Sequence, residues 1–218
     1  MSPNPRKSFV VAIDGPAAAG KGTLARALAD VLGLRYLDTG LLYRAIGKLM
    51  AVRGFDLDDG AIAGEFARNL DPADLERDDL RGREAGELAS RVAVHPQVRT
   101  ALVDFQRAFA AGPPGAVLDG RDIGTVICPD AQVKIFVTAS PEVRARRRTD
   151  ELATKGRAVD YARILEETRE RDERDSNRAV APLKPADDAV VLDTSRLDRN
   201  AALSAALAIV TAKRPLRG

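Results

Sequence analysis

The glycine-rich segment at residues 15–23, GPAAAGKGT, constrains the fold of this chain more than any other feature. An apolar run at residues 9–13 precedes it and has the length of a buried strand. Apolar residues at i, i+4, i+7 and i+8 follow it and predict a helix with one buried face, formed by Leu24, Leu28, Val31 and Leu32. Residues 15–21 fit G-x-x-x-x-G-K between a strand and a helix, which is the context this pattern requires. The segment therefore predicts a phosphate-binding loop for a nucleoside triphosphate.

The residue types of this loop suit phosphate binding. Glycines let the backbone turn sharply, and successive N–H groups at a helix N-terminus form an anion site to which Lys21 adds positive charge. Gly22 replaces the usual Ser or Thr after the lysine, so Thr23 is the candidate contact to phosphate or to Mg²⁺, directly or through water. The predicted ATP-binding residues are Gly15, Pro16, Ala17, Ala18, Ala19, Gly20, Lys21, Gly22 and Thr23.

Apolar runs of strand length alternate with helical patterns along the rest of the chain. The runs predict strands at residues 9–13, 35–37, 116–118, 133–137 and 189–192. Helical patterns fall at residues 22–32, 41–51, 84–94, 96–110, 141–154, 161–175 and 200–213. This alternation predicts an α/β fold in which helices cover both faces of a parallel sheet. Residues 54–95 look like a helical insertion, and the densely charged residues 149–178 look like a helical hairpin.

Composition narrows the class of protein. The chain has 34 Lys and Arg against 32 Asp and Glu, and a net charge of +2 disfavours a general nucleic-acid binder. Its one cysteine permits no intramolecular disulfide. No apolar run approaches the ~20 residues of a membrane span, and the first residues lack the apolar core of a signal peptide. We therefore expect a soluble, cytoplasmic protein that binds neither membrane nor nucleic acid.

Arginines and aspartates recur in four further segments. The candidate residues are Thr39 and Arg44 in LDTGLLYR, Ser90 and Arg99 in LASRVAVHPQVR, Arg121 and Asp122 in VLDGRDIGT, and Arg171, Asp175 and Arg178 in RERDERDSNRAVAPL. Thr39 is predicted to cap the helix that follows it. Residues 119–122 end an apolar strand, and the carboxyl ends of such strands face the ligand crevice.

The last of these segments has the spacing of one helix face. Arg171, Asp175 and Arg178 lie at i, i+4 and i+7, so they share a face if the helix is continuous. A structural, salt-bridged face is the competing interpretation. A second basic cluster at residues 144–148 could also reach a transferring phosphate, and its spacing does not choose among its arginines.

Phosphoryl transfer to a phosphate acceptor accounts for this mixture of residues. A phosphate oxygen is already anionic near neutral pH, so it requires positive charge and in-line positioning rather than a strong general base. Arginine suits the task because its planar guanidinium binds phosphate through two hydrogen bonds. His95, the one histidine, is expected to be structural because this chemistry does not require an imidazole.

These segments, in this order, resemble those of bacterial cytidylate kinases, the CMP/dCMP kinases of the P-loop nucleoside monophosphate kinase family. The resemblance rests on IDGPAAAGKGT, LDTGLLYR, LASRVAVHPQVR, DGRDIGTVICPDA, KIFVTAS and RERDERDSNRAVAPL, which span nearly the whole chain. It implies a three-layer P-loop NTPase fold with a five-stranded parallel sheet. The implied core is residues 1–40, 113–148 and 179–218, the monophosphate-binding region 41–112 and the lid 149–178. It also implies a monomer.

The resemblance implies a reaction and a role for each candidate residue. ATP with Mg²⁺ would phosphorylate CMP or dCMP. Thr39, Arg44 and Arg121 would hold the acceptor phosphate, and Ser90, Arg99 and Asp122 would read cytosine. Asp175 would contact the sugar, while Arg171 and Arg178 complete the site from the lid. Lys21, Arg121, Arg171 and Arg178 are the predicted catalytic residues.

Three alternatives stay open from the sequence. The chain could be a P-loop kinase for another acceptor, such as AMP, UMP or a small metabolite like shikimate. It could be a nucleotide-regulated switch, although the guanine-reading sequence N-K-x-D does not occur. It could bind nucleic acid through its arginine clusters, which the balanced charge and 4% aromatic content disfavour.

Overall fold

The computed structural model describes residues 8–154, 156 and 160–213. These residues form two compact units. The sheet unit contains the chain up to Leu37 and from Ala110 onward, and the helical unit is Asp38–Phe109. The sequence Lys155-Gly156 suggests a bend in the predicted lid, and Lys155 lies outside the described residues.

The sheet unit is built on five strands: β1 (Phe9–Asp14), β2 (Arg35–Asp38), β3 (Gly115–Gly120), β4 (Val133–Thr138) and β5 (Val190–Asp193). Their order is β2-β3-β1-β4-β5, and β1 pairs in parallel with both β3 and β4, as β4 does with β5. Every residue of β3 is buried, as expected for a strand covered on both faces. The predicted five-stranded parallel sheet is confirmed.

Helices α1 (Lys21–Leu32) and α8 (Arg199–Lys213) pack against the sheet and each other. Leu24 and Leu28 of α1 are buried in the sheet core, as their spacing predicts. Val31 was predicted to lie on the buried face of α1, but it is 59% exposed. It lies in the last turn of the helix.

Helices α6 (Pro141–Thr154) and α7 (Tyr161–Ser176) also belong to the sheet unit and pack on each other through a small apolar cluster formed by Ala145, Leu152 and Ile164. Asp160 caps α7 by accepting a hydrogen bond from the Ala162 N–H. Over the described ranges, none of the helices has the length and apolar character needed to cross a bilayer.

The helical unit consists of α2 (Thr39–Val52), α3 (Gly60–Arg68), α4 (Arg83–Val92) and most of α5 (Pro96–Ala111), with short 3₁₀ turns at Pro72–Glu76 and Asp78–Leu80. Its core contains Leu42, Ile46, Met50, Val92 and Leu102. The interface of α2 with α4 is close, since a Cβ at Gly47 would lie 2.8 Å from the Leu88 Cβ and 2.9 Å from its carbonyl carbon.

The predicted cap of α2 is wrong by one residue. Asp38 is the N-cap, and its carboxylate accepts a hydrogen bond from the Gly40 N–H at 3.0 Å. Thr39 is the first helical residue and is buried. Aspartate and threonine are both good caps, and the extended backbone of Asp38, with φ −80° and ψ 96°, is what places it in that role.

Candidate active site

The loop at residues 15–23 joins β1 to α1 in a strongly turned conformation. Gly15, Ala18 and Gly20 have φ values of +149°, +59° and +89°. A Cβ at Gly15 would lie 1.9 Å from the Val137 carbonyl oxygen, so only glycine fits there. Left-handed residues in such a turn direct successive N–H groups into a concave surface. This backbone therefore suits an anion at the N-terminus of α1.

Lys21 opens α1 and is 7% exposed. Its Nζ donates a hydrogen bond to the Pro16 carbonyl oxygen at 3.3 Å, so the ammonium group folds back over the loop. Thr23 lies in the first turn of α1 and is exposed. The structure thus brings the predicted cation to the predicted loop and leaves the hydroxyl residue accessible.

The end of β3 lies beside this loop. In the parallel register Asp14 faces Gly120, and Ile13 faces Asp119, so both segments leave the sheet at the same edge. Asp119 accepts a hydrogen bond from the Tyr36 hydroxyl at 2.8 Å. Its Oδ2 atom lies 3.8 Å from the position that a Cβ on Gly22 would occupy. The predicted DGRD segment is therefore adjacent to the phosphate loop.

Asp14 links the two segments directly. Its carboxylate accepts hydrogen bonds from the Ile123 and Gly124 N–H groups at 2.8 and 2.7 Å. Burial raises the pKa of Asp14 to about 6 even though these two hydrogen bonds and the Lys21 ammonium lower it, and the nearby Asp122 carboxylate raises it further. Asp14 therefore fixes the chain directly after Arg121 and Asp122.

Arg121 and Asp175 form a partly buried ion pair in which Nε donates to Oδ2 at 2.8 Å. Burial opposes charge on Asp175, but the Arg121, Arg171 and Arg178 guanidinium groups hold its pKa below the usual range. Likewise burial disfavours the charged guanidinium of Arg121, yet Asp175, Asp119 and Asp14 keep its pKa above the ordinary value. The predicted Arg121, Arg171, Asp175 and Arg178 thus form one electrostatic cluster.

The condition for a shared helix face is met by Arg171 and Asp175 but not by Arg178. Helix α7 ends at Ser176, so Arg178 lies beyond it. The chain turns back there, since the Leu183 N–H donates to the Asp175 carbonyl oxygen at 2.9 Å and Arg178 Nη2 donates to the Ala181 carbonyl oxygen at 2.8 Å. Arg178 therefore meets Asp175 through a turn rather than through helical spacing.

The basic cluster at residues 144–148 divides into two kinds of side chain. Arg144 and Arg147 reach carbonyl oxygens of the phosphate loop, those of Ala17 at 3.2 Å and Ala19 at 3.5 Å. Arg146 stacks on the Tyr161 ring, 4.7 Å from its centroid, and Arg148 pairs with Glu151 on its own helix. Two of these arginines therefore support the loop from outside.

Thr39, Arg44, Ser90 and most of α5, including Arg99, lie in the helical unit. Arg44 on α2 donates to the Leu80 carbonyl oxygen at 2.9 Å. Ser90 on α4 is 4% exposed. Arg99 on α5 is 6% exposed, donates to the Ala93 carbonyl oxygen at 3.2 Å and lies over the Tyr43 ring. Thr39, Ser90 and Arg99 are buried within the helical unit, and Arg44 is partly buried there.

Comparisons with known proteins identify the family. The family model "Cytidylate kinase" matches residues 11–212. The chain is 62% identical over 210 residues to a protein named cytidylate kinase from Paramagnetospirillum magneticum, covering 95% of this chain and 100% of that one. It is 60% identical to a cytidylate kinase from Rhodopseudomonas palustris, covering 94% and 97% of the two chains. The chain belongs to the cytidylate kinase family.

Solved structures of low sequence identity share the fold. A gluconokinase from Sinorhizobium meliloti 1021 superposes with a TM-score of 0.50 at 14% identity, covering 95% of this chain and 94% of that one. An uncharacterized protein from Eubacterium ventriosum superposes with a TM-score of 0.56 at 13% identity, covering 94% and 99%. At such identities the likeness shows the fold alone.

The cytidylate kinase motifs in the sequence left several supporting residues without a role. Asp14 stands in the first motif, and its one signal was an acid at the end of an apolar strand. Arg144 and Arg147 could not be told from their neighbours by spacing. His95 has the structural environment expected of it, since Nε2 lies 2.8 Å from the Leu57 carbonyl oxygen within the helical unit.

Proposed function

We propose that this chain transfers the γ-phosphoryl group of ATP to CMP or dCMP, giving ADP and CDP or dCDP. One observation carries the proposal: in a member of the cytidylate kinase family, the phosphate loop and Arg121 follow adjacent parallel strands at one edge of the sheet. A loop for the donor phosphates and an arginine for the acceptor phosphate are what this reaction needs.

ATP would bind with its triphosphate on residues 15–23. The loop N–H groups and the N-terminus of α1 favour the phosphate charge, and Lys21 adds a fixed cation. A cavity of about 420 Å³ next to Pro16 is lined by residues that include Ser140, Asp193 and Ser195. A cavity of this size and mixed polarity suits a nucleoside, so we assign it to the adenosine of ATP.

The transfer would rely on positive charge rather than on a general base. The acceptor oxygen is anionic, and the obstacle is the repulsion between two polyanions. Lys21, Arg121, Arg171 and Arg178 supply cations that hold the two phosphates in line and offset the charge of the transferred group. Asp175 keeps three of these arginines in one cluster, which supports their joint role.

The residues beside the loop fit Mg²⁺. This ion prefers oxygen ligands and takes one or two from protein, the others being water and substrate phosphate. Thr23 offers an exposed hydroxyl, and Asp119 offers a carboxylate beside Gly22. These two would hold the ion, directly or through water. When bound, it would neutralise charge on the β- and γ-phosphates.

The cytidylate kinase motifs assign the acceptor nucleotide to a second set of residues. Thr39, Arg44 and Arg121 would bind its phosphate, Asp175 its sugar, and Ser90, Arg99 and Asp122 its base. Cytosine presents an amino donor and two acceptors, which match a carboxylate, a hydroxyl and a guanidinium. We accordingly assign residues 41–112 to the monophosphate-binding region, residues 149–178 to the lid, and residues 1–40, 113–148 and 179–218 to the core.

A coupled ADP-release assay tests the proposal with ATP, Mg²⁺ and CMP, dCMP, UMP or AMP as the acceptor. We expect rapid turnover with the two cytosine nucleotides only. Turnover with UMP or AMP at comparable kcat/KM would keep the kinase and reject the cytosine-reading residues. No turnover with any of the four would reject the reaction and direct the search to other phosphate acceptors.

A further inference from the structure

Arg144 joins three segments around the phosphate loop. Its side chain is 3% exposed. Nε donates to the Ala139 carbonyl oxygen at 2.8 Å, and Nη1 donates to the Ala17 carbonyl oxygen at 3.2 Å. Nη1 also donates to Asp172 Oδ1 at 2.9 Å, while Nη2 contacts Oδ2 of the same carboxylate. One buried guanidinium thus ties the loop and the end of β4 to α7.

The contact with Ala17 constrains the shape of the loop. In a trans peptide the N–H of Ala18 points away from the carbonyl of Ala17. Holding that carbonyl on the Arg144 side therefore turns the Ala18 N–H to the opposite side. Ala18 needs such support because its φ of +59° is left-handed for a residue with a Cβ, which costs about 1–2 kcal/mol.

The contact with Asp172 connects the same guanidinium to α7. Asp172 directly follows Arg171 and precedes Asp175 by three residues on that helix. Helix α7 is therefore anchored twice, through Asp172 to Arg144 and through Asp175 to Arg121. The first anchor reaches the donor-phosphate loop, and the second reaches the proposed acceptor side.

We propose that Arg144 and Asp172 are positioning residues for ATP. Their ion pair holds the Ala17–Ala18 peptide in its anion-binding orientation and sets the position of α7, with Arg171, relative to that peptide. This inference rests on the proposed function for its ligand, ATP. Arg144 contacts the donor loop directly, whereas Asp175, assigned to the acceptor sugar, keeps its own anchor on Arg121. The effect is therefore larger for ATP than for the acceptor nucleotide.

The experiment compares two conservative variants with a matched control. Arg144→Lys keeps the charge but loses the planar fork, and Asp172→Asn keeps the shape but loses the charge. Glu142→Gln is the control, because the Glu142–Arg169 pair also joins α6 to α7 at 2.8 Å but is exposed, with side chains 51% and 61% accessible. The measurements are calorimetric binding of ATP·Mg²⁺ without acceptor, calorimetric binding of CMP, and Tm.

We expect both variants to weaken ATP binding by roughly 10- to 100-fold, the range set by loss of a charged hydrogen bond. In these variants the affinity for CMP should change by less than about 3-fold. In Glu142→Gln the affinities for ATP and for CMP should both stay within about 3-fold of those of the unaltered chain. The double variant should be no worse than the more affected single one, because the two residues act as a unit.

Unchanged ATP affinity in a folded Asp172→Asn variant would overturn the proposal. Equal losses of ATP and CMP affinity that track a loss of Tm would also overturn it, since they would indicate a general structural role. If Arg144→Lys does not fold, Asp172→Asn decides, because that carboxylate is 27% exposed. Failure of the unaltered chain to phosphorylate CMP while it still binds ATP would reject the proposed acceptor but leave this test valid.

Discussion

The buried environment of Asp14 predicts that the stability of the protein depends on pH. Burial raises its pKa from the ordinary 3.8 to about 6. Between pH 4 and 6 the folded chain therefore holds a proton that the unfolded chain has lost. The contribution of Asp14 to the free energy of unfolding falls as the pH rises through this window and stays constant above it. The total change is on the order of 3 kcal/mol.

Urea unfolding at pH 4, 5, 6 and 7 tests this prediction for the unaltered chain and for Asp14→Asn. Other carboxylates, such as Asp175, have lowered pKa values, and their contribution to the free energy of unfolding rises with pH. The relevant quantity is therefore the difference in the free energy of unfolding between the unaltered chain and the variant. We expect the unaltered chain to exceed the variant in stability by more at pH 4 than at pH 7. A difference that is independent of pH would show that Asp14 titrates normally.

Asp122 carries the prediction about specificity. Its carboxylate can accept from the cytosine amino group, whereas uracil would place a carbonyl there and leave two acceptors facing each other, at a cost of about 1–3 kcal/mol. Asp122→Asn should therefore narrow the gap in kcat/KM between CMP and UMP by roughly 10-fold. An unchanged ratio in this variant would remove Asp122 from the base-reading set.

For individual residues, the sequence predicted contacts between side chains that are close in sequence better than contacts between side chains that are far apart in sequence. Arg171 and Asp175 fall in one cluster because one helical turn separates them. Asp14 accepts hydrogen bonds from Ile123 and Gly124, and Arg144 pairs with Asp172 on another helix. No local spacing encodes such contacts, since they exist only after the strands and helices are packed.

At the scale of the elements, the close contact between α2 and α4 predicts that replacing Gly47 by alanine destabilises the protein, although helix propensity alone predicts the opposite. Alanine is a better helix former than glycine by about 1 kcal/mol. At Gly47, however, the new Cβ would meet the Leu88 backbone at 2.9 Å, and overpacking of this kind costs about 1–3 kcal/mol. We expect Gly47→Ala to lower the free energy of unfolding, as measured in urea.

Ala51→Gly on the exposed side of α2 is the control, because it reports the propensity difference in the same helix without the packing contact. It should destabilise the protein by up to about 1 kcal/mol. If Gly47→Ala instead stabilises by a similar amount, then the helices adjust at no cost and the close contact does not restrict this position.

Most element boundaries could be predicted from the sequence to within two residues, because apolar periodicity and the Pro residues that open α5 and α6 mark them. The exceptions have local causes. Helix α3 is short and contains two glycines, GAIAGEFAR, so its pattern is weak. Asp38 and Thr39 both suit the cap of α2, and only the backbone angles distinguish them.

For the whole molecule, the assignment of residues 149–178 as a lid predicts a response to ligands. Water in an open site would compete with CMP as the acceptor, so the donor phosphate has to be covered when both nucleotides are bound. We expect amide hydrogen exchange in this segment to slow when ADP and CMP are both present. Helix α8, remote in function, serves as the internal reference. Similar exchange rates with and without nucleotides would contradict a moving lid.

The strand order of the sheet also belongs to this scale, and the sequence did not predict it. Alternating strands and helices indicate a parallel sheet, but the sequence positions of β1 and β3 do not reveal that they are neighbours. That pairing is what places Arg121 beside the phosphate loop. The residue types of the candidate site can therefore be recognised in the sequence, whereas the strand order that brings the segments together cannot.

The same arrangement has a consequence during synthesis. Phe9 pairs with Gly115, and Val11 pairs with Val133, so β1 leaves the ribosome long before either of its neighbours. The helical unit is one continuous segment of the chain, so the helices that pack on one another are close in sequence. Contacts between residues that are close in sequence form sooner. We therefore expect the nascent chain to organise its middle first. Strand β1 stays unpaired until β3 has been synthesised, and the phosphate loop folds only after β4 has been synthesised.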